Sequence, residues 1–102
     1  MKRDEIIRVL RTHEAELRAV GVASVSLFGS VARNDAGPDS DVDIAVRLEE
    51  TFSRPGFDYF GRLEALESDL SRILGCKVDV VEEPVRKERF QREIDRERAL
   101  AF

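Results

Sequence analysis

The amino-acid sequence predicts a small α/β domain in which a short sheet is backed by helices on one face. Its 102 residues suit a single domain, 1–102, with one hydrophobic core. Apolar residues recur at helical spacing in the long segments and alternate with polar residues in three short ones. Glycine and proline separate these segments, so the predicted order of elements is α-β-α-β-α-β-α.

The first predicted elements are a helix and a strand. Helical spacing of apolar residues extends through residues 4–19, and Gly21 follows as a stop signal. His13 lies beside this apolar stripe, and we interpret it as a partly buried structural residue. Residues 23–28, with the sequence ASVSLF, alternate in polarity and predict the first strand.

A short helix and the second strand come next. Ser30 is a suitable N-cap for a helix that extends through Ala36, because its hydroxyl can accept a hydrogen bond from a free backbone N–H. Gly37 and Pro38 are the stop signals expected at the end of such a helix. Residues 41–48, with the sequence DVDIAVRL, predict the second strand.

The second half of the chain repeats this alternation. Residues 49–58 predict a loop, residues 60–74 a helix that Gly75 ends, and residues 77–82 the third strand. Residues 85–102 predict a final, highly charged helix with a thin apolar stripe. Its charged face is either a solvated surface with internal ion pairs or a surface that docks another protein.

The composition excludes several classes of function. A net charge of −4 argues against direct nucleic-acid binding, and no apolar run is long enough to span a membrane. With Cys76 as the only cysteine, an internal disulfide is excluded and a cytoplasmic location is expected. One cysteine and one histidine, His13, leave little for zinc sites or for Ser-His-Asp catalysis. Any catalysis is therefore expected to depend on carboxylates.

Three aspartates are placed for such chemistry. Asp41 and Asp43 lie on one face of the second strand, about 6–7 Å apart along it. Val42, Ile44 and Val46 lie on the opposite face. If the third strand is a neighbour, Asp79 joins them. Three carboxylates on one face repel each other unless a cation neutralises them, and oxygen ligands suit Mg²⁺ or Mn²⁺.

The stretch before these aspartates offers donors for an anion. Gly29 lets the backbone approach a ligand closely, and Ser30 opens a helix whose free N–H groups can hold phosphate. Phosphate donors beside a carboxylate cluster indicate two-metal phosphoryl or nucleotidyl transfer. A calcium-binding loop beginning at Asp39 is rejected, since Ile44 stands where that loop requires glycine.

The segment GSVARNDAGPDSDVDIAV closely resembles the signature of the minimal nucleotidyltransferase (MNT) proteins of the DNA-polymerase-β-like superfamily. Their motif is Gly-Ser, ten residues, then Asp-x-Asp, and Gly29-Ser30 and Asp41-Val42-Asp43 match this spacing. The remainder of the chain agrees in outline.

Further positions around this motif also fit the family. Arg33 and Ser40 are common choices there, and Asp79 stands where the third carboxylate is expected. Asn34 departs from the glycine of many relatives, but asparagine tolerates a left-handed turn.

The resemblance implies a nucleotidyltransferase core with a short mixed sheet, and transfer of a nucleoside monophosphate to a hydroxyl with release of pyrophosphate. Gly29 and Ser30, with Ser40 nearby, would belong to the triphosphate site. Asp41 and Asp43 would bridge two Mg²⁺ ions, and Asp79 would complete the site of the ion that activates the hydroxyl. Arg33 is either a phosphate contact or an ordinary exposed helix arginine.

Many stand-alone MNT proteins resemble antitoxins paired with HEPN-domain ribonuclease toxins. The resemblance therefore implies an antitoxin enzyme that transfers AMP from ATP to a toxin tyrosine, with a HEPN-domain toxin as its partner. Two alternatives stay open: a module that neutralises its partner by binding alone, and a transferase acting on a small molecule such as an aminoglycoside. An inactive domain is disfavoured, because all three carboxylates are present.

Overall fold

The computed structural model describes residues 2–37, 39–52 and 59–102. Its elements in chain order are α1 (Arg3–Thr12), α2 (Glu14–Ala19), β1 (Val22–Phe28), α3 (Gly29–Ala32), β2 (Val42–Leu48), a 3₁₀ turn (Glu50–Phe52), α4 (Tyr59–Leu74), β3 (Val78–Glu82), α5 (Glu88–Glu97) and β4 (Ala99–Leu100). The turn predicted at Pro55-Gly56 lies outside the described residues. Among the helices described, none has both the length and the apolar character that crossing a membrane requires.

The four strands form one mixed sheet in the order β3-β2-β1-β4. Strands β1 and β2 are antiparallel, and Phe28 pairs with Asp43. Strands β2 and β3 are parallel, as expected for two strands joined by a crossover helix, here α4. The predicted α/β class, with a short mixed sheet, is confirmed.

One face of the sheet forms the main hydrophobic core. Helices α1, α2 and α4 contribute leucines and isoleucines to this core, and β1, β2 and β3 contribute the side chains of their inward face. Ile6, Leu10 and Leu70 are fully buried, and so is Ile44 of β2. This layer agrees with the prediction that helices back one face.

Helix α5 departs from the prediction, because it packs on the opposite face of the sheet. Its Ile94 is fully buried against Phe28 and Ala45, and the Phe90 ring lies edge-on to Phe28 with 5.8 Å between ring centroids. Since Phe28 is the strand partner of Asp43, α5 covers part of the face that carries the aspartates. Side chains of α5 can therefore reach the candidate site.

The end of the chain was also predicted wrongly, since residues 85–102 do not form one helix. Helix α5 ends at Glu97, and β4 then pairs antiparallel with β1 through Ser26 and Leu27. Backbone bonds extend this pairing, because Val25 donates to the carbonyl of Phe102. Unpaired groups at the β1 edge favour this arrangement, and such tertiary pairing outweighs the local helical preference of the segment.

Two other helix boundaries differ from prediction. The helix expected over residues 4–19 is divided at His13 into α1 and α2, and His13 itself is partly buried, as predicted. The short helix after β1 ends at Ala32 instead of Ala36. It ends early because Asn34 adopts a left-handed conformation, with φ 61°.

Candidate active site

Two of the three predicted aspartates are neighbours on one face of the sheet, and the third lies just before one of its strands. Asp43 and Asp79 are direct partners in the neighbouring parallel strands β2 and β3, so their side chains lie side by side. Asp41 lies two residues before Asp43, immediately before β2 begins. The second and third strands are thus neighbours, as predicted, and their pairing brings Asp79 beside Asp43.

The environment of Asp43 disfavours its charged form. Partial burial raises the pKa of its carboxyl above the ordinary value, and the negative charges of Asp79 and Asp41 raise it further. Arg33 acts in the opposite direction but does not outweigh them. A cation among these carboxylates would relieve this repulsion, so the donor set fits a hard divalent ion such as Mg²⁺.

The described residues do not form a closed metal cage. Within residues 2–37, 39–52 and 59–102, no group of three or more His, Cys, Asp or Glu side chains stands ready to hold an ion by itself. The carboxylate of Asp41 instead lies 3.6 Å from the ammonium of Lys77. Mg²⁺ is usually held by one or two carboxylates, with water and substrate phosphates completing its shell, so an open set of carboxylates is compatible with it.

Gly29 brings the backbone against this cluster. It directly follows β1 and has a left-handed conformation, with φ 74°. A Cβ atom at this position would overlap Oδ2 of Asp43 and would lie 3.2 Å from its Cγ. The absence of a side chain therefore allows the first residue of the Gly-Ser motif to contact the second aspartate of the Asp-x-Asp motif.

Gly29→Ala is expected to destabilise the protein more than Gly75→Ala does. Both glycines have similar left-handed φ angles, so both substitutions incur strain of about 1–2 kcal/mol. Only at Gly29 does the added methyl group meet a neighbour, because nothing lies within 4 Å of the corresponding position at Gly75. Overpacking against Asp43 should add about 1–3 kcal/mol to the loss of unfolding free energy, measured by denaturant titration. Equal losses in the two variants would contradict the close contact.

The other residues of the predicted site have distinct local roles. Ser30 is the second residue of α3 and is partly buried. Ser40 is exposed, and its hydroxyl accepts a hydrogen bond from the backbone N–H of Gly37 at 3.0 Å. Asn34 has the left-handed conformation that the sequence predicted it would tolerate.

Comparisons with known proteins identify the family of this chain. Residues 5–101 match the model of the nucleotidyltransferase domain family. The chain is 43% identical over 79 residues to the protein adenylyltransferase MntA of Thermococcus cleftensis, covering 76% of this chain and 74% of that protein. The chain belongs to the nucleotidyltransferase domain family.

Solved structures share the fold of this nucleotidyltransferase domain. A provisionally named minimal nucleotidyltransferase superposes with a TM-score of 0.72 and 29% identity, covering 97% of this chain and 95% of that one. A chain from the complex of a tri-AMPylated Shewanella oneidensis HEPN toxin with an MNT antitoxin superposes with a TM-score of 0.57 and 22% identity. That match covers 98% of this chain and 68% of the other.

One contact of the candidate site was missed in the sequence. The carboxylate of Glu97, at the end of α5, accepts hydrogen bonds from the backbone N–H of Gly29 at 3.0 Å and from Nη1 of Arg33 at 2.7 Å. Burial alone would raise the pKa of Glu97, but these two donors outweigh it and hold the pKa below its ordinary value. In the sequence, only the thin apolar stripe of the final segment indicated that this helix packs against the rest of the protein.

Proposed function

We propose that this protein transfers AMP from ATP to a tyrosine hydroxyl of a partner HEPN-domain toxin, and so acts as an antitoxin. The observation that carries this proposal is the side-by-side placement of Asp43 and Asp79, with Gly29 packed against Asp43. Membership of the nucleotidyltransferase family supports the reaction class, and the name of the Thermococcus relative supports a protein acceptor and an adenylyl group.

Each residue has a chemical task in this reaction. The backbone N–H groups of Gly29 and Ser30, at the start of α3, and the guanidinium of Arg33 bind the negative triphosphate. The acceptor oxygen attacks the α-phosphorus, a new P–O bond forms, and the bond to pyrophosphate breaks. Asp79 is exposed at the edge of the cluster and is the carboxylate able to accept the hydroxyl proton.

Asp41, Asp43 and Asp79 would hold two Mg²⁺ ions in the active protein, with Mn²⁺ as a substitute. When bound, such ions lower the pKa of the attacking hydroxyl and neutralise charge on the leaving pyrophosphate. The raised pKa of Asp43 fits this role, because ionisation of that carboxyl is unfavourable until positive charge is nearby.

The partner supplies the acceptor in this proposal. The described surface offers α5 as a docking element, since its outer face carries many exposed charged residues. The Shewanella complex, in which an MNT antitoxin accompanies an AMPylated HEPN toxin, supports a HEPN-domain partner. A transferase in such a pair needs no large acceptor pocket of its own, because the partner positions the hydroxyl.

The proposal is tested by label transfer with purified protein, Mg²⁺ and lysate of the source organism. ATP labelled at the α-phosphate should label a protein band, and ATP labelled at the γ-phosphate should not, because pyrophosphate leaves. The Asp41→Ala/Asp43→Ala double variant is the matched control and should give no band. Mass spectrometry should then find AMP on a tyrosine of a HEPN-domain protein.

Two results would decide against this function. Labelling from γ-labelled ATP alone would indicate a kinase-like reaction instead of adenylyl transfer. A double variant that gives no label but still suppresses toxicity when the two proteins are co-expressed would indicate neutralisation by binding.

A further inference from the structure

The donors assigned to the triphosphate are already occupied by a carboxylate of this chain. Glu97 accepts from the backbone N–H of Gly29 and from the guanidinium of Arg33, one with each of its carboxylate oxygens. Its side chain is only 19% exposed, whereas that of Arg33 is 47% exposed. An acidic side chain thus lies where a phosphate group would bind.

A carboxylate and a phosphate compete for such donors, because both are anions that accept charge-assisted hydrogen bonds. Glu97 is also close enough to add its negative charge to those acting on Asp43. A bound triphosphate beside Glu97 would meet this charge at short range. Nucleotide binding therefore requires Glu97 to leave or costs affinity if it stays.

We propose that Glu97 is an internal occupant of the nucleotide site that lowers the affinity of this protein for nucleoside triphosphates. This inference rests on the proposed function, because it assigns Gly29 and Arg33 to the triphosphate. Glu97 is accordingly a residue that sets affinity, and it takes no part in the transfer of the adenylyl group.

The rest of α5 is anchored, so release of Glu97 is a rotation of its side chain. The next residue, Arg98, donates from Nη1 to Oε1 of the buried Glu83 and to the hydroxyl of Ser26, each at 2.8 Å. Ile94, one turn earlier, is fully buried. These contacts hold the end of α5 in place while Nη1 of Arg33 becomes available to phosphate, and Nε of Arg33 keeps its bond to Asp35 at 3.1 Å.

The test is the dissociation constant of the α,β-methylene analogue of ATP, which cannot transfer AMP, measured by calorimetry with Mg²⁺. Glu97→Gln removes the charge with little change in shape, and Glu97→Ala removes the acceptor as well. Both should bind the analogue about tenfold more tightly than the unaltered protein, since the charge-assisted bonds of the carboxylate no longer compete. Inorganic tripolyphosphate should show the same gain, because the competition concerns phosphate oxygens.

Glu93→Gln is the matched control, because Glu93 is an exposed acid on the same helix and its substitution changes net charge equally. Thermal unfolding monitored by circular dichroism checks that every variant is folded. The proposal would be overturned if both Glu97 variants bound the analogue only as tightly as Glu93→Gln does. It would also be overturned if they bound it more weakly than the unaltered protein. So would a failure of all these proteins to bind either probe.

The inference and the proposed function fail in different measurements. Tight analogue binding by the Glu97 variants without label transfer to any protein would contradict the proposed function and support the inference. Label transfer by the unaltered protein, with unchanged analogue affinity in the Glu97 variants, would support the proposed function and contradict the inference.

Discussion

Asp43→Asn is expected to lower the rate of AMP transfer by about 1,000-fold, which corresponds to several kcal/mol of lost stabilisation of the transition state. Asp43 is the central carboxylate of the cluster, with Asp79 as its strand partner and Asp41 two residues before it. Asparagine has nearly the same shape but no charge to balance divalent cations. The measurement is the initial rate of label transfer from α-labelled ATP at saturating Mg²⁺.

The same substitution should stabilise the protein when no divalent cation is present. The pKa of Asp43 is raised in the folded state, so its ionisation opposes folding once the pH exceeds the ordinary value of 3.8. The neutral amide removes this penalty. In the chelator EDTA at pH 7, Asp43→Asn should therefore unfold at a higher temperature than the unaltered protein, and the difference should vanish below about pH 3.8.

Glu64→Gln is the control for this prediction, since Glu64 is an exposed acid on α4 and its substitution removes the same charge. It should change neither the transfer rate nor the pH dependence of unfolding. An Asp43→Asn protein that is less stable than the unaltered one in EDTA would show that the carboxylate makes a net favourable contact. If Asp43→Asn transferred AMP at the normal rate, Asp43 would not be a metal ligand.

The carboxylate cluster was predictable because it depends on short-range rules. Alternation along β2 places Asp43 opposite the core residues, and Asp41 comes directly before the strand. The long helix α4 implies that β3 runs parallel to β2. Once those two strands are neighbours, their register and alternation place Asp79 beside Asp43. The motif spacing then joins Gly29 to the same site.

The role of α5 was not predictable by the same rules. Whether a charged helix covers the carboxylate face depends on which way the chain turns after β3, and the local pattern around Pro84 does not determine that direction. The short strand β4 depends on an unpaired edge of β1, more than 70 positions earlier in the chain, at Ser26 and Leu27. Glu97 owes its contact with Gly29 to both of these long-range features.

Glu83→Ala is expected to lower the free energy of unfolding by about 3 kcal/mol, because it leaves the charge of Arg98 without its principal partner. The side chain of Glu83 is fully buried, and its two oxygens accept hydrogen bonds from both terminal nitrogens of Arg98. Gln91 donates to the same carboxylate at 2.7 Å. Denaturant titration at pH 7 measures the loss.

Asp95→Ala provides the matched control, because Asp95 also pairs with Arg98, at 2.8 Å, but its side chain is 55% exposed. An exposed pair of this kind contributes less than about 1 kcal/mol. The two variants therefore remove one carboxylate each from the same guanidinium and differ chiefly in burial. Similar losses in both would show that burial does not strengthen the Glu83 pair.

The pH dependence separates the charge of Glu83 from its packing. Hydrogen bonds from Arg98, and then from Gln91, hold the pKa of Glu83 below its ordinary value of 4.5 despite burial. A depressed pKa in the folded state means that the stabilisation is fully present above pH 4.5 and is lost as the pH falls through the lower value. The stability difference between the unaltered protein and Glu83→Gln should therefore shrink below pH 4.5. A constant difference would mean that the packing and hydrogen bonds of the Glu83 side chain stabilise the protein and that its charge does not.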